Sequence, residues 1–87
     1  MNNNNKKQYI LYIKSKCPFC VRAIDLLREN KVNFKTISFD KRPKVLDEIK
    51  EIYSWPTVPM VFENSGDNNY KLVGGYTDLL SDINGGT

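Results

Sequence analysis

Two cysteines separated by two residues, Cys17-Pro18-Phe19-Cys20, are the side chains of this sequence best suited to chemistry. An apolar run over 9–13 precedes them and residues with helical spacing follow, which places Cys17 at a strand-to-helix junction. Pro18 suits the first helical position because its missing N–H leaves no hydrogen bond unmade there. Cys17 is then the N-cap residue, beside unpaired N–H groups and the positive end of the helix dipole. Such a position favours a thiolate, the form of cysteine that attacks disulfides.

Cys20 lies one helical turn after Cys17, close enough to form a disulfide with it. A structural role for the pair is the alternative, and two arguments oppose it. The chain has two Cys and no His, so one copy cannot supply the four ligands of the usual structural zinc site. A disulfide across so short a loop would stabilise the fold by only about 2 kcal/mol. In a reducing compartment, this spacing beside a strand-helix-strand pattern is typical of a redox pair.

The length and composition predict a small globular protein. A chain of 87 residues can bury one core, and its hydrophobic content of 40% and charged content of 26% are ordinary for a soluble domain. The net charge is only +3 and the Lys and Arg residues are scattered along the chain, so we expect no nucleic-acid partner. No apolar run approaches the roughly 20 residues that span a bilayer, and 9–13 is too short for a signal-peptide core. We therefore expect no membrane partner and a cytoplasmic location.

The hydrophobic pattern and the positions of Gly and Pro predict seven elements in the order β-α-β-α-β-β-α. We predict strands over 8–14, 32–39, 58–63 and 70–73, and helices over 18–30, 43–53 and 76–83. The near-continuous apolar first strand indicates a central strand covered on both faces. The strand-helix-strand order predicts that the first two strands are parallel. The short fourth strand is expected at an edge.

The same reading assigns the connections and the domain. Residues 1–7 are expected to form a flexible N-terminal tail and residues 8–87 the single domain. Asp40 is a candidate cap for the second helix, residues 64–68 have the composition of a hairpin turn, and Gly85 with Gly86 should end the third helix.

Four segments at characteristic spacings carry a resemblance to a known family. They are Lys14, Cys17-Pro18-Phe19-Cys20-Val21-Arg22-Ala23, Thr57-Val58-Pro59 and Gly74-Gly75-Tyr76-Thr77-Asp78-Leu79. With these segments the chain resembles the dithiol glutaredoxins of the Cys-Pro-Phe-Cys type, over nearly all of 9–83. The resemblance implies an α/β thioredoxin-like (glutaredoxin) fold, a four-stranded mixed sheet flanked by three helices. It also implies a glutathione-dependent thiol–disulfide oxidoreductase that reduces protein disulfides and protein–glutathione mixed disulfides.

The two cysteines then have distinct expected roles. Cys17 is the nucleophile, and Cys20 is the more buried resolving thiol with the higher pKa. The resemblance further implies that Lys14 contacts a carboxylate of glutathione. Phe19 lies where the family often has Tyr, so a hydroxyl contact would be missing from the binding site.

Two further motifs complete the expected binding site for glutathione or a substrate. Their residues are Thr57, Val58, Pro59, Gly75, Tyr76, Thr77 and Asp78. In the family the proline is cis, and the residue before it presents its N–H and C=O to the backbone of the ligand; here that residue is Val58. The Gly-Gly pair leads into a helix start, where free N–H groups bind anions. The resemblance assigns the γ-glutamyl carboxylate to the N–H groups of Thr77 and Asp78, and its ammonium group to the Asp78 side chain.

Some assignments stay open at this point. A basic residue on the second helix often binds the glycine carboxylate of glutathione in the family, and the candidates here are Arg42, Lys44 and Lys50. Trp55 has no expected role beyond packing beside the site. We expect glutathione as co-substrate, no metal, and a monomer, with ribonucleotide reductase as the electron acceptor that the bacterial dithiol type suggests.

Two other functions are compatible with the motifs. Some relatives carry a [2Fe–2S] cluster between two protomers, held by the first Cys of each and two glutathiones, but they usually have a smaller residue than Pro18. Anaerobic reconstitution with iron, sulfide and glutathione would distinguish this carrier, as a brown dimer. A thioredoxin-like reductant is the other alternative, and the Gly-Gly-Tyr-Thr-Asp anion site argues against it.

Overall fold

The computed structural model describes residues 7–64, 66 and 69–85. It confirms the predicted order of elements; half of the fourteen boundaries agree with the prediction and the other half shift by one or two residues. The elements are β1 (Gln8–Ile13), α1 (Pro18–Glu29), β2 (Asn33–Ser38), α2 (Pro43–Tyr53), β3 (Met60–Asn64), β4 (Tyr70–Gly74) and α3 (Tyr76–Ile83).

Parts of two predicted segments lie outside the described residues. Of the predicted tail only Lys7 is described, and its ammonium group lies 3.5 Å from Glu63 and 3.4 Å from Asp82. Of the predicted hairpin turn, Asn64 and Gly66 are described, and the N–H of the glycine donates to Asn64 Oδ1 at 2.6 Å. The other residues of both segments, and the predicted helix-ending glycine at 86, lie outside. The division into tail and domain stays a prediction.

The four strands form one mixed sheet in the order β2-β1-β3-β4. β1 pairs in parallel with β2 and antiparallel with β3, and β4 pairs antiparallel with β3 at the edge. These pairings confirm the predicted fold, the central first strand and the edge position of the fourth. They also bring the C-terminal ends of β1, β2 and β4 to the same end of the sheet as the N-terminal end of β3. The loops that carry the predicted motifs therefore meet at that end of the strands.

The sheet has a hydrophobic core on each face, which explains the near-continuous apolar sequence of β1. Tyr9 and Leu11 face α1 and α3, whereas Ile10 and Tyr12 face α2. The first core is built from the buried residues Tyr9, Leu11, Ala23, Leu27, Val61 and Leu79. The second is built from the buried residues Phe39, Leu46, Met60 and Phe62, with Ile10, Tyr12 and Ile49 packed against them.

Only part of the apolar face of α2 is buried against the sheet. Leu46 is fully buried and Ile49 packs beside it, but Val45 is 42% exposed and Ile52 is 74% exposed. At 3.6 residues per turn, Val45 and Ile52 lie on the flank of the stripe centred on Leu46 and Ile49. A helix on one face of a sheet is covered only along its central stripe, so these two apolar residues remain exposed.

The prediction that Asp40 caps α2 is also wrong. The N-cap residue is Arg42, and its side chain makes no capping hydrogen bond. Asp40 instead accepts hydrogen bonds from Ser15, from the backbone N–H at 3.0 Å and from the hydroxyl. The loop after β1 lies directly beside the loop after β2, and its donors take the carboxylate that the sequence assigns to the helix.

Within the part of the chain that the structure describes, we find no helix with both the length and the apolar character needed to cross a membrane.

Leu46 and Ile52, one buried and one exposed residue of α2, provide a test of the packing. We expect Leu46→Ala to lower the free energy of unfolding by about 2–5 kcal/mol, because it deletes buried methyl groups and leaves a cavity. Ile52→Ala, on the same helix, should change it by less than about 0.5 kcal/mol, since this side chain is exposed. Urea denaturation followed by circular dichroism measures both. Equal losses in the two variants would contradict the packing described for α2.

Candidate active site

Cys17 is the N-cap residue of α1, as the sequence predicts. Its backbone is extended (φ −118°, ψ 108°), and Pro18 occupies the first helical turn. The N–H of Cys20 donates a hydrogen bond to Cys17 Sγ at 3.1 Å. A thiolate would accept this bond more strongly than a thiol, since hydrogen bonds to an ionised acceptor are about twice as strong. The side chain is half-buried, so its sulfur remains accessible from one side.

Cys20 is the buried partner of the pair. Its residue is 1% exposed, and both cysteines are free thiols. Burial raises the pKa of the Cys20 thiol to about 12, and the neighbouring Cys17 side chain adds to the increase. The backbone N–H of Lys14 acts in the opposite direction, but burial outweighs it. The expected contrast in burial between the two cysteines is confirmed.

The segment before β3 meets Cys17 from across the site. The thiol of Cys17 donates to the C=O of Val58, with Sγ and O 3.6 Å apart. The peptide bond between Val58 and Pro59 is cis, as the resemblance implies. Val58 is half-buried, whereas Pro59 is buried at the start of β3. The reactive sulfur therefore lies next to a backbone carbonyl from a distant part of the chain.

A groove of about 420 Å³ adjoins this contact. Its lining residues are Phe19, Trp55, Thr57, Val58, Pro59, Gly75, Tyr76, Thr77 and Asp78. The rings of Phe19 and Tyr76 approach to 6.0 Å between centroids. Eight of the nine binding residues that the sequence predicts line the groove. The ninth, Lys14, does not; it lies at the end of β1, where its charge acts on Asp40.

The start of α3 is built around Asp78. Its Oδ2 accepts a hydrogen bond from the N–H of Gly75 at 2.9 Å, and the N–H of Leu79 donates to the C=O of Gly75 at 3.0 Å. Gly74 has φ +134°, and a Cβ at that position would lie 2.6 Å from Asp78 Cγ. A Cβ on Gly75 would make only ordinary contacts, at 3.8 Å. Glycine is therefore required at 74, a position absent from the predicted site, although the Gly-Gly pair already signals a special backbone.

Trp55 also lines the groove, whereas the sequence predicted for it only packing beside the site. Its ring packs against the second core, and its Cζ2 atom faces Gly75 across the groove. Its Nε1 is buried and has no hydrogen-bond partner among the described residues. The signal in the sequence was the position of Trp55 two residues before the Thr-Val-Pro motif, but only the fold shows that its ring forms a wall of the groove.

The sequence and the fold are both similar to those of known proteins. The family model described as Glutaredoxin matches residues 9–65. A glutaredoxin of Pseudomonas aeruginosa is 33% identical over 70 residues, which cover 80% of this chain and 77% of that protein. The crystal structure of a wheat glutaredoxin is 31% identical with a TM-score of 0.74, covering 90% of this chain and 72% of that one. The crystal structure of glutaredoxin 1 from Francisella tularensis is 26% identical with a TM-score of 0.70, and the match covers 90% of this chain and 93% of that one.

The contrast between the two thiols predicts selective alkylation. We expect iodoacetamide at pH 8 to modify Cys17 in the reduced, folded protein and to leave Cys20 unmodified, because Cys20 is buried and its pKa is raised to about 12. Mass spectrometry of the digested protein locates the label. In the Cys17→Ser variant the single remaining thiol should stay unmodified until the protein is unfolded in urea. Rapid labelling of Cys20 in the folded variant would contradict its burial.

Proposed function

The chain belongs to the glutaredoxin family, a family of thiol–disulfide oxidoreductases, and we propose that this member uses glutathione to reduce protein disulfides and protein–glutathione mixed disulfides. One observation supports this most directly. Cys17 Sγ lies between the N–H of Cys20 and the C=O of Val58, beside a groove lined by Val58 and the start of α3. A substrate sulfur that approaches Cys17 would thus find backbone groups next to the bond that must be exchanged.

In the simpler cycle only Cys17 reacts. Its thiolate attacks the glutathione sulfur of a protein–glutathione mixed disulfide, the old S–S bond breaks, and the protein leaves as a thiolate that takes up a proton. Cys17 is now joined to glutathione. A second glutathione thiolate attacks the glutathione sulfur of this intermediate, releases the Cys17 thiolate and leaves as glutathione disulfide. One free glutathione is consumed for each mixed disulfide that is reduced: its sulfur is oxidised, the protein sulfur is reduced, and the glutathione of the mixed disulfide leaves as the other half of glutathione disulfide.

The second cycle uses both cysteines to reduce a protein disulfide. The Cys17 thiolate attacks one sulfur and releases the other as a thiolate, leaving a mixed disulfide between Cys17 and the protein. Cys20 then loses its proton and attacks Cys17 Sγ, which releases the protein and forms the Cys17–Cys20 disulfide. The hydrogen bond from Cys20 N–H to Cys17 Sγ holds the Cys17 sulfur next to the residue that attacks it in this step. Two glutathiones reduce the disulfide and leave as glutathione disulfide.

Glutathione is the reductant that the redox balance favours. Glutaredoxins have reduction potentials of about −200 to −230 mV, above a glutathione pool at about −220 to −260 mV by extraction methods. The pool therefore reduces the oxidised enzyme. A thioredoxin-like couple near −270 mV would be harder for the same pool to reduce.

Two backbone features support glutathione as the ligand of the groove. The N–H and C=O of Val58 can pair with an extended peptide, as a minimal strand addition. Thr77 and Asp78 precede Leu79, whose N–H donates to the C=O of Gly75, and N–H groups of a first helical turn suit the γ-glutamyl carboxylate, while the Asp78 carboxylate would bind the ammonium group. Ribonucleotide reductase as acceptor, a monomeric state and a cytoplasmic location remain predictions.

Single-cysteine variants test the assigned roles. In an assay of a small glutathione mixed disulfide coupled to glutathione reductase, we expect Cys17→Ser to fall to the uncatalysed rate, because the nucleophile is gone. Cys20→Ser should keep substantial activity, because the first cycle does not use Cys20. Activity in the Cys17→Ser variant would exclude Cys17 as the nucleophile, and an inactive but folded Cys20→Ser variant would exclude the cycle that uses Cys17 alone.

Replacing Asp78 tests the binding of glutathione. Asp78→Asn keeps an oxygen that can accept the hydrogen bond of Gly75 N–H but removes the negative charge. We expect the KM for glutathione to rise about tenfold with little change in kcat, since a hydrogen bond to a charged group contributes about 1.5–3 kcal/mol. Steady-state kinetics with varied glutathione measures the effect.

Asp25→Asn is the matched control, because this exposed carboxylate on α1 lies outside the groove. It should leave the KM for glutathione unchanged. An unchanged KM in a folded Asp78→Asn variant would remove Asp78 from the binding site.

A further inference from the structure

A concentration of positive charge lies beside Cys17. The segments 14–22 and 40–44 hold six of the chain's 13 Lys and Arg residues but only one of its 10 Asp and Glu residues. We call this surface the cationic face, and it consists of Lys14, Lys16, Arg22, Lys41, Arg42 and Lys44. All of these side chains are exposed except Lys14, which is half-buried. The charge is therefore unevenly distributed along the chain: these two segments carry a larger positive charge than the net +3 of the whole chain.

The fold brings the two segments together. They follow β1 and β2, which are parallel and end at the same edge of the sheet. Phe39 N–H donates to the C=O of Ile13 at 3.0 Å, and both hydrogen-bond donors of Ser15 reach the Asp40 carboxylate. The single acid of the two segments is thus engaged with Ser15, whose hydrogen bonds lower the pKa of Asp40. One paired negative charge cannot neutralise six positive ones.

Exposed apolar groups lie within the same surface. Phe19 is 50% exposed and Val21 is 52% exposed in the first turn of α1, next to Cys17. The guanidinium of Arg22 lies 5.1 Å from the centroid of the Phe19 ring. Apolar and aromatic groups with arginine beside them are typical of surfaces that bind proteins. The groove next to Cys17 has Asp78 and no Lys or Arg among its lining residues, so the six cations lie outside it.

We propose that the cationic face selects protein substrates whose target cysteine is flanked by Asp or Glu residues. The inference rests on the proposed function and names the class of protein on which it acts. Long-range attraction raises the rate of encounter, and contacts with individual Lys and Arg side chains orient the substrate disulfide towards Cys17. A polypeptide fits better than a nucleic acid, because Cys17 must reach a sulfur atom and Phe19 and Val21 offer apolar contacts to side chains.

Three glutathionylated peptides test the proposal. They share one sequence, except that the residues on either side of the cysteine are both Glu, both Gln or both Lys. Each is turned over with glutathione and glutathione reductase, and kcat/KM is measured at low and high salt. With wild-type protein we expect the Glu peptide to exceed the Gln peptide about tenfold at ~20 mM salt, and the Lys peptide to be the poorest. At ~0.5 M salt the preference should shrink to about twofold or less, because the charges are screened.

Charge-matched variants locate the effect on the molecule. Lys16→Gln combined with Lys41→Gln removes two charges of the cationic face, and Lys35→Gln combined with Lys71→Gln removes two charges from β2 and β4. The ratio of the Glu peptide to the Gln peptide should fall about threefold or more in the first variant and stay unchanged in the second. Because each ratio compares two substrates of one variant, any change in the reactivity of Cys17 cancels.

Three outcomes would overturn the proposal. The first is equal turnover of the three peptides at low salt. The second is an equal fall in the ratio of the Glu peptide to the Gln peptide in both double variants. The third is equal turnover of the peptides together with binding of a single-stranded oligonucleotide to the wild type but not to the variant with Lys16→Gln and Lys41→Gln. The last would assign the surface to a nucleic acid. Absence of turnover for every peptide, in contrast, would refute the proposed function itself.

Discussion

The hydrogen bond from Cys20 N–H to Cys17 Sγ is the interaction on which the site depends. It exists because α1 begins at Pro18, so that the N–H groups of its first turn have no carbonyl partner within the helix. The Cys17 sulfur supplies the missing acceptor and is held at the positive end of the helix. The same geometry keeps Cys20 one turn away and buried against the core. One local arrangement therefore gives two chemically similar side chains an accessible and an inaccessible position.

The sheet brings two other segments close to that sulfur. Since β1 is parallel to β2 and antiparallel to β3, and β4 is antiparallel to β3, the loops of the site lie at the same ends of the strands. Val58 reaches Cys17 because β3 neighbours β1, and the start of α3 reaches the groove because β4 neighbours β3. Without the strand order β2-β1-β3-β4, the motifs would be separate sequence patterns with no common surface.

Local patterns predicted most of the fold. The starts of α1 and α2 follow from Pro18 and Pro43, because a proline at the first helical turn specifies a helix start with little help from the rest of the chain. The prediction for Asp40 is wrong because a distant group competes: its carboxylate accepts hydrogen bonds from Ser15 instead of capping α2. That contact depends on the pairing of β1 with β2, which the local sequence around Asp40 does not specify.

By itself, the sequence determined the order of the elements and the position of Cys17 at the start of α1, because these depend on spacing within short segments. Its resemblance to the glutaredoxins predicted nearly all of the residues that line the groove. Only the tertiary structure decided that Trp55 forms a wall of that groove, that Gly74 must be glycine, and that Lys14 lies outside it. It also brought together the ends of β1 and β2, and the segments that follow these strands carry six of the chain's Lys and Arg residues. The physical reason is the same in each case: strand pairing places residues that are far apart in sequence within contact distance, and packing then determines which side chains have room.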